Sequence, residues 1–255
     1  MSQVLLALPL GLLAGAMLGL LGAGGSVLTV PALVYLLDQP VAAATTAALV
    51  IVAVNAGVGA AENARRGTVD ARLAAGFGAA SVLGAVLGSY LNRLARGETV
   101  LGLLALVMLA SAWSLWHGRP GDQERARAGR RARPVLVASL GFAVGLLTGF
   151  FGVGGGFLIV PALVLLLGLS MRLAIGTSLL IIAVTALAGL AGHLAVGGVS
   201  WPVTIAFAAA GSAGVLTAAR CGRGLAGETL ARAFSVMLAV VAVALLVENG
   251  SALAG

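Results

Sequence analysis

Charge is scarce in this 255-residue chain: 9% of its residues are charged, against about a quarter in a soluble globular domain. Lysine is absent, so all fifteen basic residues are arginine, and no glycine run can form a nucleotide phosphate loop of the G-x-x-x-x-G-K-[ST] type. The single cysteine, Cys221, excludes an internal disulfide and a cysteine-based metal cluster. The eight acidic residues, Asp38, Glu62, Asp70, Glu98, Asp122, Glu124, Glu228 and Glu248, all fall at the ends of apolar segments or between them. Intramembrane hydrolases and redox enzymes need buried carboxylates, paired histidines or a nucleophile beside its base. No such set stands at a suitable spacing, which argues against an enzyme, a cofactor and a metal site. Aromatic residues make up only 5% and do not interleave with the arginines, so the net charge of +7 describes no nucleic-acid surface.

What the chain has instead is apolar length. Hydrophobic residues account for 60% of it, in ten segments at roughly 4–21, 26–37, 41–61, 71–91, 98–116, 135–151, 156–167, 173–194, 201–219 and 229–247. The runs are continuous rather than alternating, which favours helices over a barrel, because a membrane fold satisfies its backbone internally by one or the other. The expected fold class is therefore all-α, a polytopic helical membrane protein with lipid as its partner. The first segment lacks a basic stretch before it and has a mid-chain counterpart at 135–151, so it is expected to belong to the fold rather than to be a cleaved signal.

The chain is doubled. Gly22-Ala-Gly-Gly-Ser-Val-Leu-Thr-Val-Pro31-Ala-Leu-Val returns 130 positions later as Gly152-Val-Gly-Gly-Gly-Phe-Leu-Ile-Val-Pro161-Ala-Leu-Val, and Gly97-Glu98-Thr99 stands opposite Gly227-Glu228-Thr229 at the same offset. Two transmembrane repeats, 1–116 and 135–255, flank a linker at 117–134 that carries Arg119, Arg125, Arg127, Arg130, Arg131 and Arg133 against Asp122 and Glu124. The positive-inside rule makes that linker cytoplasmic and, by alternation, places Arg65, Arg66, Arg72, Arg172, Arg220 and Arg223 inside as well. Five segments per half is an odd number, which would invert the second half relative to the first. Four per half would make the repeats parallel and put Arg172, Arg220 and Arg223 outside, so inverted repeats are the expected arrangement. Segments 26–37 and 156–167 hold twelve residues each, so as helices they rise about 18 Å against a hydrocarbon core of about 30 Å. Each is expected to form a broken or re-entrant helix with the segment before it, its glycine turn lying at depth, where irregular backbone survives only inside protein or around a watery cavity.

Those turns are the expected site. Two helix N-termini beginning at Gly24, Gly25 and Ser26 and at Gly154, Gly155 and Gly156 would aim N–H groups and positive dipole ends at a ligand between the halves, which favours a small anion. Thr45, Thr46, Asn55, Thr177 and Ser178 are the neutral hydrogen-bonding groups expected to complete the site. Against that stand the back-bonding of helical hydroxyls to preceding carbonyls and a purely helix-clamping Asn55. The proline carbonyl partners near Val27 and Phe157, and the imidazole of His193, are candidates for a coupling cation or proton. Gly11, Gly15 and Gly19, with Gly141, Gly145 and Gly149, form small-xxx-small stripes expected to pack helices closely. Trp113, Trp116 and Trp201 sit at segment ends as interface anchors.

The repeated G-x-G-G-x-x-x-x-x-P-A-L motif at 22–33 and 152–163, followed by the Thr45-Thr46 and Thr177-Ser178 pairs, resembles the TauE/SafE family of sulfite and organosulfur anion exporters. Gly22, Gly24, Gly25 and Pro31, then Gly152, Gly154, Gly155, Gly156 and Pro161, match the family's repeated signature, and Thr177-Ser178 matches its hydroxyl pair. Ser26 replaces the third consecutive glycine, and Thr46 stands where serine is usual. The resemblance implies a secondary transporter moving sulfite, sulfoacetate or a related anion across a bacterial plasma membrane. A passive anion channel and a non-transporting scaffold are the rival readings.

Overall fold

The computed structural model describes residues 2–92, 97–117, 134–151, 156–193 and 199–253, which form helices joined by short turns with no strand among them. In chain order the helices are α1 Ser2–Leu21, α2 Gly24–Pro31, α3 Val41–Arg65, α4 Ala71–Asn92, α5 Gly97–His117, α6 Pro134–Phe151, α7 Gly156–Pro161, α8 Met171–His193, α9 Trp201–Cys221 and α10 Gly227–Leu253. Helices α1, α3, α4, α6, α8, α9 and α10 make seven that are long and apolar enough to cross a membrane. The offset of 130 recurs in the structure: α3 and α8 begin at 41 and 171, α4 and α9 at 71 and 201, α5 and α10 at 97 and 227.

Local chemistry sets the helix ends. Gly67 takes a left-handed φ of +69° and Thr68 donates its backbone N–H to Asn63 O at 3.1 Å, closing α3 as a glycine C-terminal motif does. Asp70 Oδ1 then accepts the Leu73 N–H at 3.0 Å, an N-cap for α4. The two short helices share a different device. Pro31 and Pro161 end the α-helical stretches, and the chain continues through π turns at Ala32–Leu36 and Ala162–Leu166. A proline removes one N–H from the i→i−4 ladder, and the wider π spacing absorbs the loss without ending the helix. Both π turns finish at a left-handed residue, Asp38 (φ +49°) and Gly168 (φ +66°), with Gln39 N–H bonded to Leu33 O and Leu169 N–H to Leu163 O, each at 3.0 Å. Eight α and five π residues reach at most about 20 Å, short of a hydrocarbon core of about 30 Å.

Packing follows the glycines. Gly11, Gly15 and Gly19 of α1 lie on Phe207, Gly211 and Val215 of α9, and Gly141, Gly145 and Gly149 of α6 lie on Phe77, Ser81 and Ala85 of α4. The second set is the first displaced by 130, and both helix pairs run parallel. A Cβ at any of the six would fall within 3.0 Å of facing backbone. Backbones can approach this far only without side chains, and such close packing is what holds helices together in lipid. The small-residue stripes are therefore packing surfaces, as their spacing implies. At the centre, α3 and α8 run antiparallel: Gly59 lies on Leu179, Gly176 on Asn63, and Gly189 on Leu49. Ile51, Ala56, Leu179 and Ile181 are fully buried there. On the outside, Leu83 and Val86 of α4 are 68% and 67% exposed, apolar surface suited to lipid.

Among the described residues, arginines gather at one end of the bundle. Arg66 at the end of α3 donates to Ala219 O at 2.7 Å, and Arg172 at the start of α8 donates to Leu225 O at 2.8 Å. The C-terminal ends of α1, α3 and α9 thus meet the N-terminal ends of α8 and α10. The other end collects Ala7, Leu33, Leu37, Ala44, Ala47 and Val203 in a separate apolar cluster.

Candidate substrate site

The first glycine turn is buried in protein. Gly22 has a φ of +77°, and Gly22, Ala23 and Gly25 are all buried. A left-handed residue lets the chain leave α1 and reverse within a few residues, which glycine does without a Cβ penalty. After the reversal α2 lies against α1: a Cβ at Gly25 would meet Ala14 O and come within 2.7 Å of Leu18 Cβ. Ala23, the N-cap residue of α2, provides no side-chain cap. Thr29 Oγ1 donates to Gly25 O at 2.8 Å. Gly24 and Ser26 lie in the first turn of the same helix.

The turn rests on the other half of the chain. The single Ser178 Oγ hydrogen of α8 is shared between Gly22 O at 3.1 Å and Ile175 O at 2.8 Å. Next to it, Thr177 Oγ1 accepts the Asp70 N–H at 3.1 Å. Both side chains are fully buried. The structure therefore brings Thr177 and Ser178 to the first turn and to the head of α4. It does not bring Thr45 and Thr46 into an equivalent role: they donate to Val41 O at 2.8 Å and Ala42 O at 3.2 Å within their own helix. The helix starts give the reason, since at the offset of 130 the residues equivalent to Thr177 and Ser178 are Ala47 and Ala48. The two hydroxyl pairs are two positions out of register and occupy different places.

Asn55 is 2% exposed and joins α3 to α9. Its Oδ1 accepts the Ser212 Oγ hydrogen at 3.0 Å, and its amide fills the space above Gly211 that a side chain there would take. Ser212, a polar residue in the middle of an apolar segment, was the partner that local pattern alone does not reveal.

On the second side, Gly156 opens α7 and every residue from Gly156 to Pro161 is buried. Helices α2 and α7 touch each other. Gly152, Gly154 and Gly155 lie outside the described residues. One observation borders that region. Thr148, on α6 three residues before its end, has a buried Oγ1 with no hydrogen-bond partner, where the first half has Leu18. A buried hydroxyl left unpaired is costly, and such groups mark strain, water or a ligand. No group of three or more His, Cys, Asp or Glu among the described residues is placed to hold a metal ion.

A bundle of membrane-spanning helices with a repeated pair of short, proline-containing helices has the build of a membrane transporter. Residues 7–245 match the family described as "Sulfite exporter TauE/SafE", and the chain belongs to this family of membrane transporters. Among curated proteins it is 35% identical to a "Probable membrane transporter protein" of Xylella fastidiosa (strain Temecula1) over 80% of this chain and 79% of that one. It is 29% identical to "Probable membrane transporter protein YunE" of Bacillus subtilis over 98% and 99% of the two chains. The similarity to "Probable membrane transporter protein YdhB" of the same organism is 27% over 76% and 80%. No solved structure matches the chain.

Proposed function

We propose that this transporter is a secondary carrier that exports a small oxyanion, sulfite or an organosulfonate such as sulfoacetate, across the inner membrane of a bacterium. The observation that carries the reading is the first glycine turn: a reversal buried in protein and pressed on the opposite half at the start of a helix. A helix start in such a place attracts negative charge through its N–H groups and dipole, without an arginine in hydrocarbon, where a charge costs at least about 2.5–3.5 kcal/mol. The antiparallel α3–α8 pair supports inverted halves, since these helices occupy the same place in each repeat. In that arrangement α1 and α6 cross from opposite faces, α2 and α7 are the re-entrant segments that turn back behind them, and one bundle rocks against the other around the bound anion. Gly24, Gly25, Ser26, Gly154, Gly155, Gly156, Thr177 and Ser178 form the binding surface, with Thr148 donating from the second side. Thr45, Thr46 and Asn55 act through helix geometry. A proton or cation couples the cycle.

The test is uptake and efflux of labelled sulfite, sulfonates and sulfate in proteoliposomes, with and without a pH gradient. Gly25→Leu and Gly155→Leu are expected to abolish flux while the protein still inserts, and Thr148→Val to weaken the substrate's apparent affinity. Undiminished flux in both leucine variants would remove the glycine turns from the mechanism.

A further inference from the structure

At the arginine-rich end of the bundle a cavity of about 230 Å³ lies among Leu20 of α1, Asn63 of α3, Arg66 at that helix's C-terminal cap, Thr68 of the α3–α4 turn, and Arg172 and Ile175 of α8, bounded by the ends of α9 and α10. Two cationic side chains from different helices line one small space. The cavity also abuts the first glycine turn, because Ile175, which lines it, is the residue whose Cα would lie 2.9 Å from a Cβ at Gly22. Asn63 and Thr68 fix the wall: Thr68 Oγ1 donates to Asn63 Oδ1 at 3.0 Å, and Asn63 Nδ2 donates to Gly59 O at 2.9 Å.

We propose that this cavity is a docking site for a small oxyanion, a vestibule between the side of the basic loops and the first glycine turn, with Arg66 and Arg172 as its cationic groups. The proposal rests on the anion-carrier reading and adds to it the route by which the anion reaches the turn. A guanidinium has five N–H groups in a planar fork suited to oxyanions. Arg66 gives one to Ala219 O and pairs through another with Glu62 on its own helix. Glu62 is 15% exposed and Arg66 23%, so this ion pair stands at the cavity in partial contact with water. An entering oxyanion meets the guanidinium where a carboxylate already competes for it. Docking is therefore predicted to be weakened by loss of either arginine and strengthened by loss of the carboxylate, a pair of opposite signs that a purely structural clamp does not produce. The positive-inside rule puts this end, with Arg65, Arg66, Arg72, Arg172 and Arg220, on the cytoplasmic side, so the vestibule serves the side from which an exporter loads.

The experiment measures the sulfite-dependent rise of the thermal midpoint in purified protein at constant ionic strength, and saturable sulfite uptake in proteoliposomes. A ligand that binds the folded form raises the midpoint in proportion to its affinity. Arg66→Gln and Arg172→Gln are expected to weaken the apparent affinity roughly tenfold, as loss of a charge-assisted hydrogen bond does. Glu62→Gln is expected to strengthen it, and Arg72→Gln, which removes an exposed charge at the same end outside the cavity, to leave it unchanged. Should either arginine variant fail to fold, the gain in Glu62→Gln carries the test. Equal sulfite shifts in all variants, or no shift in the unaltered protein, would overturn the vestibule. Absence of saturable uptake in the unaltered protein would instead overturn the carrier reading, whatever the shifts.

Discussion

Replacing Gly22 with alanine, alongside the same change at Gly67, separates backbone strain from close approach. Both glycines hold left-handed backbone, at φ +77° and +69°, so alanine costs about 1–2 kcal/mol of strain at either place. Their surroundings differ. A Cβ at Gly67 meets nothing within 4 Å, whereas at Gly22 it would lie 2.8 Å from Ser178 Oγ and 2.9 Å from Ile175 Cα. A hydroxyl can rotate away but a helix backbone cannot, so the turn must withdraw from α8, an overpacking cost of about 1–3 kcal/mol. The withdrawal also lengthens the bond from Ser178 to Gly22 O. In a chain of this size each kcal/mol lowers the midpoint by about 2–4 °C, so Gly22→Ala is expected to melt roughly 2–12 °C below Gly67→Ala. Because the turn is part of the proposed binding surface, Gly22→Ala should also lose most sulfite uptake while Gly67→Ala keeps it. Thermal unfolding in detergent and initial rates in proteoliposomes measure the two effects. Equal midpoints and equal rates would refute the argument that the turn is held against α8.

Other predictions follow from the same packing. Gly15→Ala and Gly145→Ala, each driving a Cβ into facing backbone, should destabilise by about 1–3 kcal/mol, whereas Gly57→Ala, with open space around it, should be neutral or stabilising by up to about 1 kcal/mol from helix propensity; unfolding midpoints compare them. A double-mutant cycle between Asn55→Ala and Ser212→Ala should return a coupling of about 0.6–1.7 kcal/mol, the range for interhelical hydrogen bonds in membranes, with the sulfite KM unchanged by Ser212→Ala. A KM shift without coupling would make Asn55 a ligand rather than a clamp. Thr148→Val should raise stability by about 1–3 kcal/mol, because it deletes an unpaired buried hydroxyl, while weakening substrate affinity; stability gained with affinity unaltered would release Thr148 from the site.

The duplication was legible because it is a matter of spacing. One offset places the glycine motifs, the helix starts and the six packing glycines, and small residues four apart in apolar segments leave few roles besides close helix contact. The shortness of α2 and α7 was legible too, but their continuation through π turns was not. A proline announces a missing N–H, and whether the helix stops or widens depends on neighbours that a local window does not contain. The hydroxyls divided by tertiary context. Thr45 and Thr46 satisfy themselves on their own helix, while Ser178 reaches Gly22 across 156 positions. An amide such as that of Asn55 is costly to bury, but its partner lies 157 positions away. In the sequence Arg66 and Arg172 mark orientation, since charge at a helix end carries that signal alone. Only the antiparallel meeting of α3 and α8 places both on one cavity.

Counterflow tests the carrier account most directly. Proteoliposomes loaded with unlabelled sulfite are diluted into a trace of labelled sulfite, and the label inside is followed with time. A binding site exposed alternately to the two faces predicts a transient accumulation of label above its equilibrium level, abolished by Gly25→Leu. A smooth approach to equilibrium, as through an open pore, or no uptake beyond that of protein-free vesicles, would contradict it.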